Sequence, residues 1–262
     1  MKRAALFLVA VYAAAPTLLY LFPWILGHII YSHFLRFPLL VDLGRPEAVL
    51  NHTCNFYLDT EEGVSVGVWH TLPASQWDEA AGRSPEWYQE TLGDGRPVII
   101  YLHGNLGSRA IHHRVELVKI LSAAGYHVLS LDYRGFGDST GEPSEAGMTS
   151  DALFLYHWAK QQSSGAPVCL WGHSLGSGVA TNTAAKAQEQ GSDVDALILE
   201  AAFTTIGEVV VNYPLTKLYE ISMQAKKEHN TDVHTEMISY SETLGFSHNN
   251  IYLDPNLSNV IG

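Results

Sequence analysis

The sequence predicts a doubly wound α/β fold, and three observations carry that prediction. From Val98 to Leu199, apolar strand-like runs alternate with helical stretches, the order that builds a mostly parallel sheet covered by helices on both faces. The runs are continuous rather than alternating, as in Val98-Ile99-Ile100-Tyr101-Leu102, which suits strands buried on both sides. With 47% hydrophobic and 16% charged residues, the 262-residue chain is too apolar and too weakly charged for disorder and long enough for one large domain.

In chain order, Val64-Ser65-Val66-Gly67-Val68-Trp69-His70 alternates like a half-buried strand. The stretch from Ser75 to Gly95 is polar, rich in Gly, Asp and Trp, and reads as a surface loop or insertion. The strand Val98–Leu102 follows, then a helix from Arg114 to Ala124 stopped by Gly125, and the strand Val128–Leu131. A helix from about Met148 to Gln161, the strand Val168–Trp171, a helix from about Gly176 to Gln190 and the strand Ala196–Leu199 complete the alternation.

Charge excludes some functions. The net charge is −12 with no basic block, so there is no footprint for phosphate backbones and nucleic acid is not expected as a partner. Cys54 and Cys169 are too few for a disulfide framework or a structural zinc site and read as two free buried thiols. No metal constellation or nucleotide motif stands out. His112-His113 reads as a surface doublet, so neither a metal nor a cofactor is expected.

The positive charge is concentrated at the start. Residues 1–36 contain Lys2, Arg3 and Arg36 and no acid, leaving −15 on the remainder. Between Arg3 and Arg36 there is no charged side chain, and the run from about Ala4 to Ile30 exceeds the roughly 20 apolar residues that cross a bilayer core. Pro16 and Pro23 are tolerated in membrane helices. Lys2 and Arg3 favour a cytoplasmic N-terminus with the body across the membrane. A cleaved signal peptide and a buried core helix are competing readings, but the apolar character continues through Ile29 and Ile30, beyond a typical signal-peptide core. The expectation is an anchor over residues 1–36 and a single domain over 37–262. Asn51-His52-Thr53 is a glycosylation sequon just past the anchor, and Asn256-Leu257-Ser258 is a second, weaker one.

The chemistry falls where a strand meets its helix. Gly172-His173-Ser174-Leu175-Gly176 matches G-x-S-x-G between an apolar strand and a small-residue helix. Such a turn lifts the serine hydroxyl clear of the sheet, and its tightness demands small neighbours, here Gly172, Gly176 and Gly178. His103-Gly104-Asn105-Leu106-Gly107 ends another strand, where acyl transfer needs backbone donors for a developing oxyanion. The amides of Asn105 and Leu175 are the expected donors.

Together with Asp132-Tyr133-Arg134-Gly135-Phe136-Gly137-Asp138-Ser139, these motifs resemble the α/β-hydrolase serine enzymes. Asn51-His52-Thr53-Cys54-Asn55, Gly67-Val68-Trp69-His70-Thr71, His113-Arg114-Val115-Glu116-Leu117 and Asp195-Ala196-Leu197-Ile198-Leu199-Glu200 are similar to the lysophosphatidylserine lipase branch, membrane-anchored enzymes of the endoplasmic reticulum. The resemblance implies hydrolysis of lysophospholipid and monoacylglycerol esters through an acyl-enzyme on Ser174. It also implies a single-pass protein whose catalytic domain lies in the lumen, acting on lipid beside the bilayer that holds it.

In that fold the triad runs Ser, acid, His, so only His229, His234 and His248 qualify as the base. His229 lies in the charged run Lys226-Lys227-Glu228 and His234 in a polar stretch, whereas His248 follows Leu244-Gly245-Phe246 and matches the family's histidine position. The acid has no clear counterpart. The 45 positions from Phe203 to His248 must hold lid, strands and crossover helix, yet one βαβ unit takes about 30 residues or more. The resemblance breaks after Tyr213 and resumes at Lys217, as though the segment with the acid-bearing strand were missing. The expected fold is therefore incomplete in its C-terminal third, shortened near 213–217, and severely reduced activity is expected. Tethering or interaction at the membrane is the alternative role. Glu200 is a substitute acid with a structural carboxylate as the competing reading; Asp232 and Glu236 have no strand to position them.

Overall fold

The computed structural model describes Ala14, residues 20–202, residues 251–254 and Leu257. Six strands form one sheet: β1 (Thr53–Glu61), β2 (Val64–Thr71), β3 (Val98–Leu102), β4 (His127–Leu131), β5 (Val168–His173) and β6 (Ala196–Glu200), in the order β1-β2-β4-β3-β5-β6. β1 and β2 pair antiparallel, as do β2 and β4, while β4, β3, β5 and β6 run parallel. Five α-helices are described: α1 (Pro23–Tyr31), α2 (Pro85–Thr91), α3 (His112–Ala123), α4 (Glu145–Gln162) and α5 (Leu175–Glu189).

The continuous apolar strands do what their composition requires. Successive side chains point to opposite faces, so Val98, Ile100 and Leu102 enter one core with Met148 and Leu155 of α4 and Val179 of α5. Ile99 and Tyr101 enter the other core with Val115, Val118 and Leu121 of α3 and with Trp69 and Trp171. Fully burying one such side chain contributes roughly 1.5–3 kcal/mol, and every residue of β3 is buried. The doubly wound reading therefore holds strand by strand, with each shared helix shifted by at most three residues at its start.

Two stretches depart from the sequence expectation. β1 escapes a period-2 reading because its buried residues Thr53 and Phe56 are three apart, and Asn55 between them accepts a hydrogen bond from Arg109 Nη2 at 2.7 Å. Ser75–Gly95 is not a plain loop. It contains a 3-10 turn at Ala74–Glu79 and α2, whose first residue is Pro85 and whose cap Ser84 accepts from the Trp87 amide. Proline at the first helical position with serine before it is a start signal. Tyr88 and Ala80 bury against Leu72, which explains why so polar a stretch is ordered.

Cys54 and Cys169 are free and half-buried, and burial pushes their thiols up to about 12 and about 11. Half of the 1–36 segment read as an anchor lies outside the described residues; its described part includes the nine-residue α1. No helix among the described residues is long and apolar enough to cross a membrane. After α1 the chain exposes Phe34, Leu35, Phe37, Leu39 and Leu40. The same segment is tied to the loop after β3: Asn105 Nδ2 donates to the Ile30 carbonyl at 3.1 Å, Leu106 N to Tyr31 O at 3.2 Å and Gly107 N to Leu35 O at 3.1 Å. β6 ends the sheet among the described residues, and Leu197 and Leu199 on it are exposed. The suspected shortening at 213–217, the lid and any further strand lie outside the described residues.

Candidate active site

Ser174 stands between β5 and α5 with φ 52° and ψ −117°, a backbone conformation that a residue with a side chain rarely adopts. Such positions cost about 1–3 kcal/mol and persist only where the surroundings over-determine them. Here the Ser174 amide donates to the Glu200 carbonyl at the end of β6 at 2.9 Å. Its own carbonyl accepts from the Ser177 amide at 2.8 Å and the Ser177 hydroxyl at 2.6 Å.

Two of the three glycines singled out in the sequence are required by contact. A Cβ on Gly172 would run into the Gly176 carbonyl, and one on Gly176 into the Leu102 carbonyl of β3. Gly178 is different: among the described residues nothing lies within 4 Å of a Cβ placed there. Gly176→Ala is expected to destabilise the fold by more than about 3 kcal/mol, because backbone must move. Gly178→Ala should raise stability by about 0.5–1 kcal/mol, the usual gain within a helix. Urea midpoints of the two variants check the pair, and equal effects would contradict the distinction.

The loop after β3 lies against this elbow. A Cβ on Gly104 would stand 3.2 Å from Ser174 Cβ and 3.1 Å from His173 Nδ1, so Asn105 begins beside the serine. Leu175, the first residue of α5, has an N–H with no intrahelical acceptor. Ser174, Leu175 and Asn105 are thus brought together, the arrangement that a nucleophile and two oxyanion donors need. His248, His229, His234, Asp232 and Glu236 lie outside the described residues.

Glu200 is within reach of the elbow through its main chain, but its carboxylate is engaged elsewhere: Trp171 Nε1 donates to Oε2 at 3.0 Å. Burial raises its carboxyl to about 7, with the Trp171 hydrogen bond opposing. Glu200→Gln keeps an acceptor for Trp171 and is expected to leave turnover within about threefold. A triad acid would instead lose ~10⁴. Steady-state rates of the variant decide between the two.

Behind the loop is a buried charge network that the sequence reading did not single out. Asp132 accepts from the Arg109 amide at 2.7 Å and from Arg109 Nη1 at 2.6 Å, and its Oδ1 lies 3.0 Å from His103 Nε2. Arg109 also donates to Asp138 at 2.8 Å, which accepts from the Tyr57 hydroxyl at 2.6 Å. Burial alone would raise the Asp132 carboxyl, but the Arg109 guanidinium and His103 hold it below its ordinary value. One carboxylate therefore pins both ends of the loop 103–109. The available signal was Asp132 directly after an apolar strand, a position where a buried acid needs partners.

A family profile for the alpha/beta hydrolase fold matches residues 97–253, which include the elbow, the loop and the strands that carry them. The chain belongs to the α/β-hydrolase family. Among its relatives, the zebrafish (Danio rerio) protein named lysophosphatidylserine lipase ABHD12 is 49% identical over 220 residues, covering 84% of this chain and 58% of the relative. The human (Homo sapiens) protein ABHD12B is 54% identical over 191 residues, covering 73% and 53%. The hydrolase chain thus spans just over half the length of the curated relatives it matches. The crystal structure of an α/β hydrolase from Vibrio vulnificus superimposes with a TM-score of 0.55 at 17% identity, covering 71% of this chain and 60% of that one, a likeness of fold.

Asn51 is exposed in the turn before β1, while the Thr53 hydroxyl of the same sequon is buried against Thr71 at 2.8 Å. Asn51 lines a surface cleft of about 550 Å³ with Trp77, Arg83 and Tyr88 that includes no residue of the elbow or the loop after β3. Among the described residues of the hydrolase no group of three His, Cys, Asp or Glu could hold a metal ion.

Proposed function

We propose that this hydrolase cleaves carboxylic esters of lipids, lysophosphatidylserine and related lysophospholipids and monoacylglycerols, through an acyl-enzyme on Ser174. The observation that carries the reading is the strained elbow at Ser174 with Gly104 packed against it. The substrate class is supported by the name of the zebrafish relative.

In the proposed reaction Ser174 Oγ attacks the ester carbonyl carbon while His248 takes its proton. The carbonyl electron pair moves to oxygen, where the N–H groups of Asn105 and Leu175 bind it. When the tetrahedral species collapses, the ester C–O bond breaks and His248 passes its proton to the departing alcohol oxygen. Water then attacks the acyl-serine carbon, again losing a proton to His248, and fatty acid leaves as Ser174 regains its hydroxyl.

The finer reading is a single-pass anchor within residues 1–36, a luminal catalytic domain at the endoplasmic reticulum membrane, and a glycan on Asn51. Its support is physical. Phe34, Leu39 and Leu40 are exposed by 60%, 73% and 99% on the segment hydrogen-bonded to the loop beside Ser174, so a bilayer covering them would bring lipid esters to the nucleophile. Retention in alkali-washed microsomes, with an endoglycosidase shift abolished by Asn51→Gln, is the expected outcome; release from those membranes would refute the anchor.

Microsomes carrying the full chain should release fatty acid from added lysophosphatidylserine, measured against Ser174→Ala microsomes. Labelling of Ser174 by a fluorophosphonate without such release would reject the substrate class. A folded chain that neither labels nor turns over would reject the hydrolase reading in favour of membrane tethering.

A further inference from the structure

Arg114 is buried, yet every hydrogen bond it makes among the described residues goes to main-chain carbonyls. Nη1 donates to the Ser108 carbonyl at 2.8 Å. Nη2 donates towards the carbonyls of Gly104 at 3.1 Å, Asn105 at 3.2 Å and Leu106 at 2.9 Å, and Nε has no partner. A guanidinium taken out of water with no carboxylate hydrogen-bonded to it among the described residues is costly, and leucine or methionine would fill the same place in α3. What the arginine provides is a planar fork of five donors that can gather several oxygens at once.

The consequence follows from the peptide plane. In a trans peptide the C=O of one residue and the N–H of the next point in opposite directions. Carbonyls drawn to Arg114 therefore turn the following amides away from it. Of the four following amides, Leu106 N reaches Tyr31 O and Gly107 N reaches Leu35 O, both on the outer segment, while Arg109 N turns to the buried Asp132 carboxylate. The fourth amide is that of Asn105, whose preceding carbonyl on Gly104 is drawn both to Arg114 and to His103 Nδ1, which donates to it at 2.6 Å. Gly104 is also the residue packed against Ser174.

We infer that Arg114 is a positioning residue, which aims the Asn105 N–H at the oxyanion by holding the carbonyls of Gly104, Asn105, Leu106 and Ser108. The inference rests on Ser174 being the nucleophile. Its role is indirect: Arg114 touches neither ester nor serine, and it acts through the direction of a dipole that must be set before the reaction begins.

Arg114→Lys keeps the charge and most of the volume, but one ammonium cannot fork to four carbonyls. On a soluble chromogenic ester, kcat should fall by about 10–100-fold, less than the ~10²–10³ of deleting a donor outright. KM should stay within about twofold, because ground-state binding is untouched. Added guanidinium ion should partly restore Arg114→Ala, which a general packing role would not permit. Should both variants fail to show a thermal transition, the unaltered hydrolase supplies the test. On phosphonylation of Ser174, amide exchange should slow at Asn105 and stay unchanged at Leu106 and Gly107, already bonded outward. Equal change at all three amides, or Arg114→Lys as fast as its parent, would overturn the inference. An unaltered chain that a fluorophosphonate does not label would instead remove the nucleophile reading beneath it.

Discussion

Ser174→Ala is expected to abolish fluorophosphonate labelling and to lower ester turnover to the level that binding and oxyanion contacts alone support, since the members of a triad act as a unit. The fold should not suffer. Its amide and carbonyl hydrogen-bond to Glu200 and Ser177, and alanine preserves both of these bonds. A companion variant separates catalysis from strain. Ser174→Gly should be equally inactive but more stable than the parent by about 1 kcal/mol, because glycine alone tolerates φ 52° at no steric cost. Higher stability in the dead enzyme is the mark of a conformation held for chemistry. Labelling kinetics and urea midpoints on the three proteins make the comparison; a glycine variant less stable than alanine would show that the elbow is not strained.

Asp132→Asn should cost about 3–5 kcal/mol, the usual penalty for leaving one partner of a buried ion pair uncompensated. Asp132 and the Arg109 side chain are both fully buried and lie 2.6 Å apart. Among the described residues, Asp138, itself 31% exposed, would be the carboxylate left to the arginine, beside the neutral Asn55. The pH dependence has a definite sign. A carboxyl whose folded-state pKa is depressed contributes stability above its unfolded value, near 3.9, and that contribution is lost as pH falls through the folded value. The parent should therefore lose stability steeply below about pH 4, and Asp132→Asn should flatten that slope while lying lower at pH 7. Urea titrations between pH 3 and 7 test both statements. A variant parallel to its parent across that range would show that Asp132 is not the group responsible. Because His103 and Arg109 close the two ends of the loop beside Ser174, activity should fall with stability even where the variant remains folded.

Much of this was legible in the sequence for a simple reason. The parallel strands are buried on both faces, so their composition is continuous and apolar, and their helices announce themselves by period and small residues. Val98–Leu102 and Gly172–Gly176 needed no further information. β1 was not legible because it lies at the sheet edge and spends Asn55 on a distant arginine instead of on alternation. α2 was hidden in polar composition, although Ser84-Pro85 signalled its start. In the site, Ser174, Leu175 and Asn105 could be read because short motifs encode a local turn. Arg109, Arg114 and Asp132 could not be assigned roles, because their partners are main-chain atoms or side chains far away in the sequence. Gly178 differs from its neighbours in the motif: among the described residues no atom lies where its Cβ would stand.

The hydrogen bonds from Leu106 and Gly107 to the carbonyls of Tyr31 and Leu35 also bear on how the protein can be handled and how it can change. The stretch from Tyr31 to residue 37 is structurally part of the loop after β3, since it caps two amides of the same loop that packs against Ser174. A soluble form cut at residue 36 would leave those amides to water and loosen the loop; a cut ahead of Tyr31 would spare the Leu106 and Gly107 bonds. Insertions that lengthen this stretch are likewise excluded by its register with the loop, although its exposed apolar side chains remain free to vary.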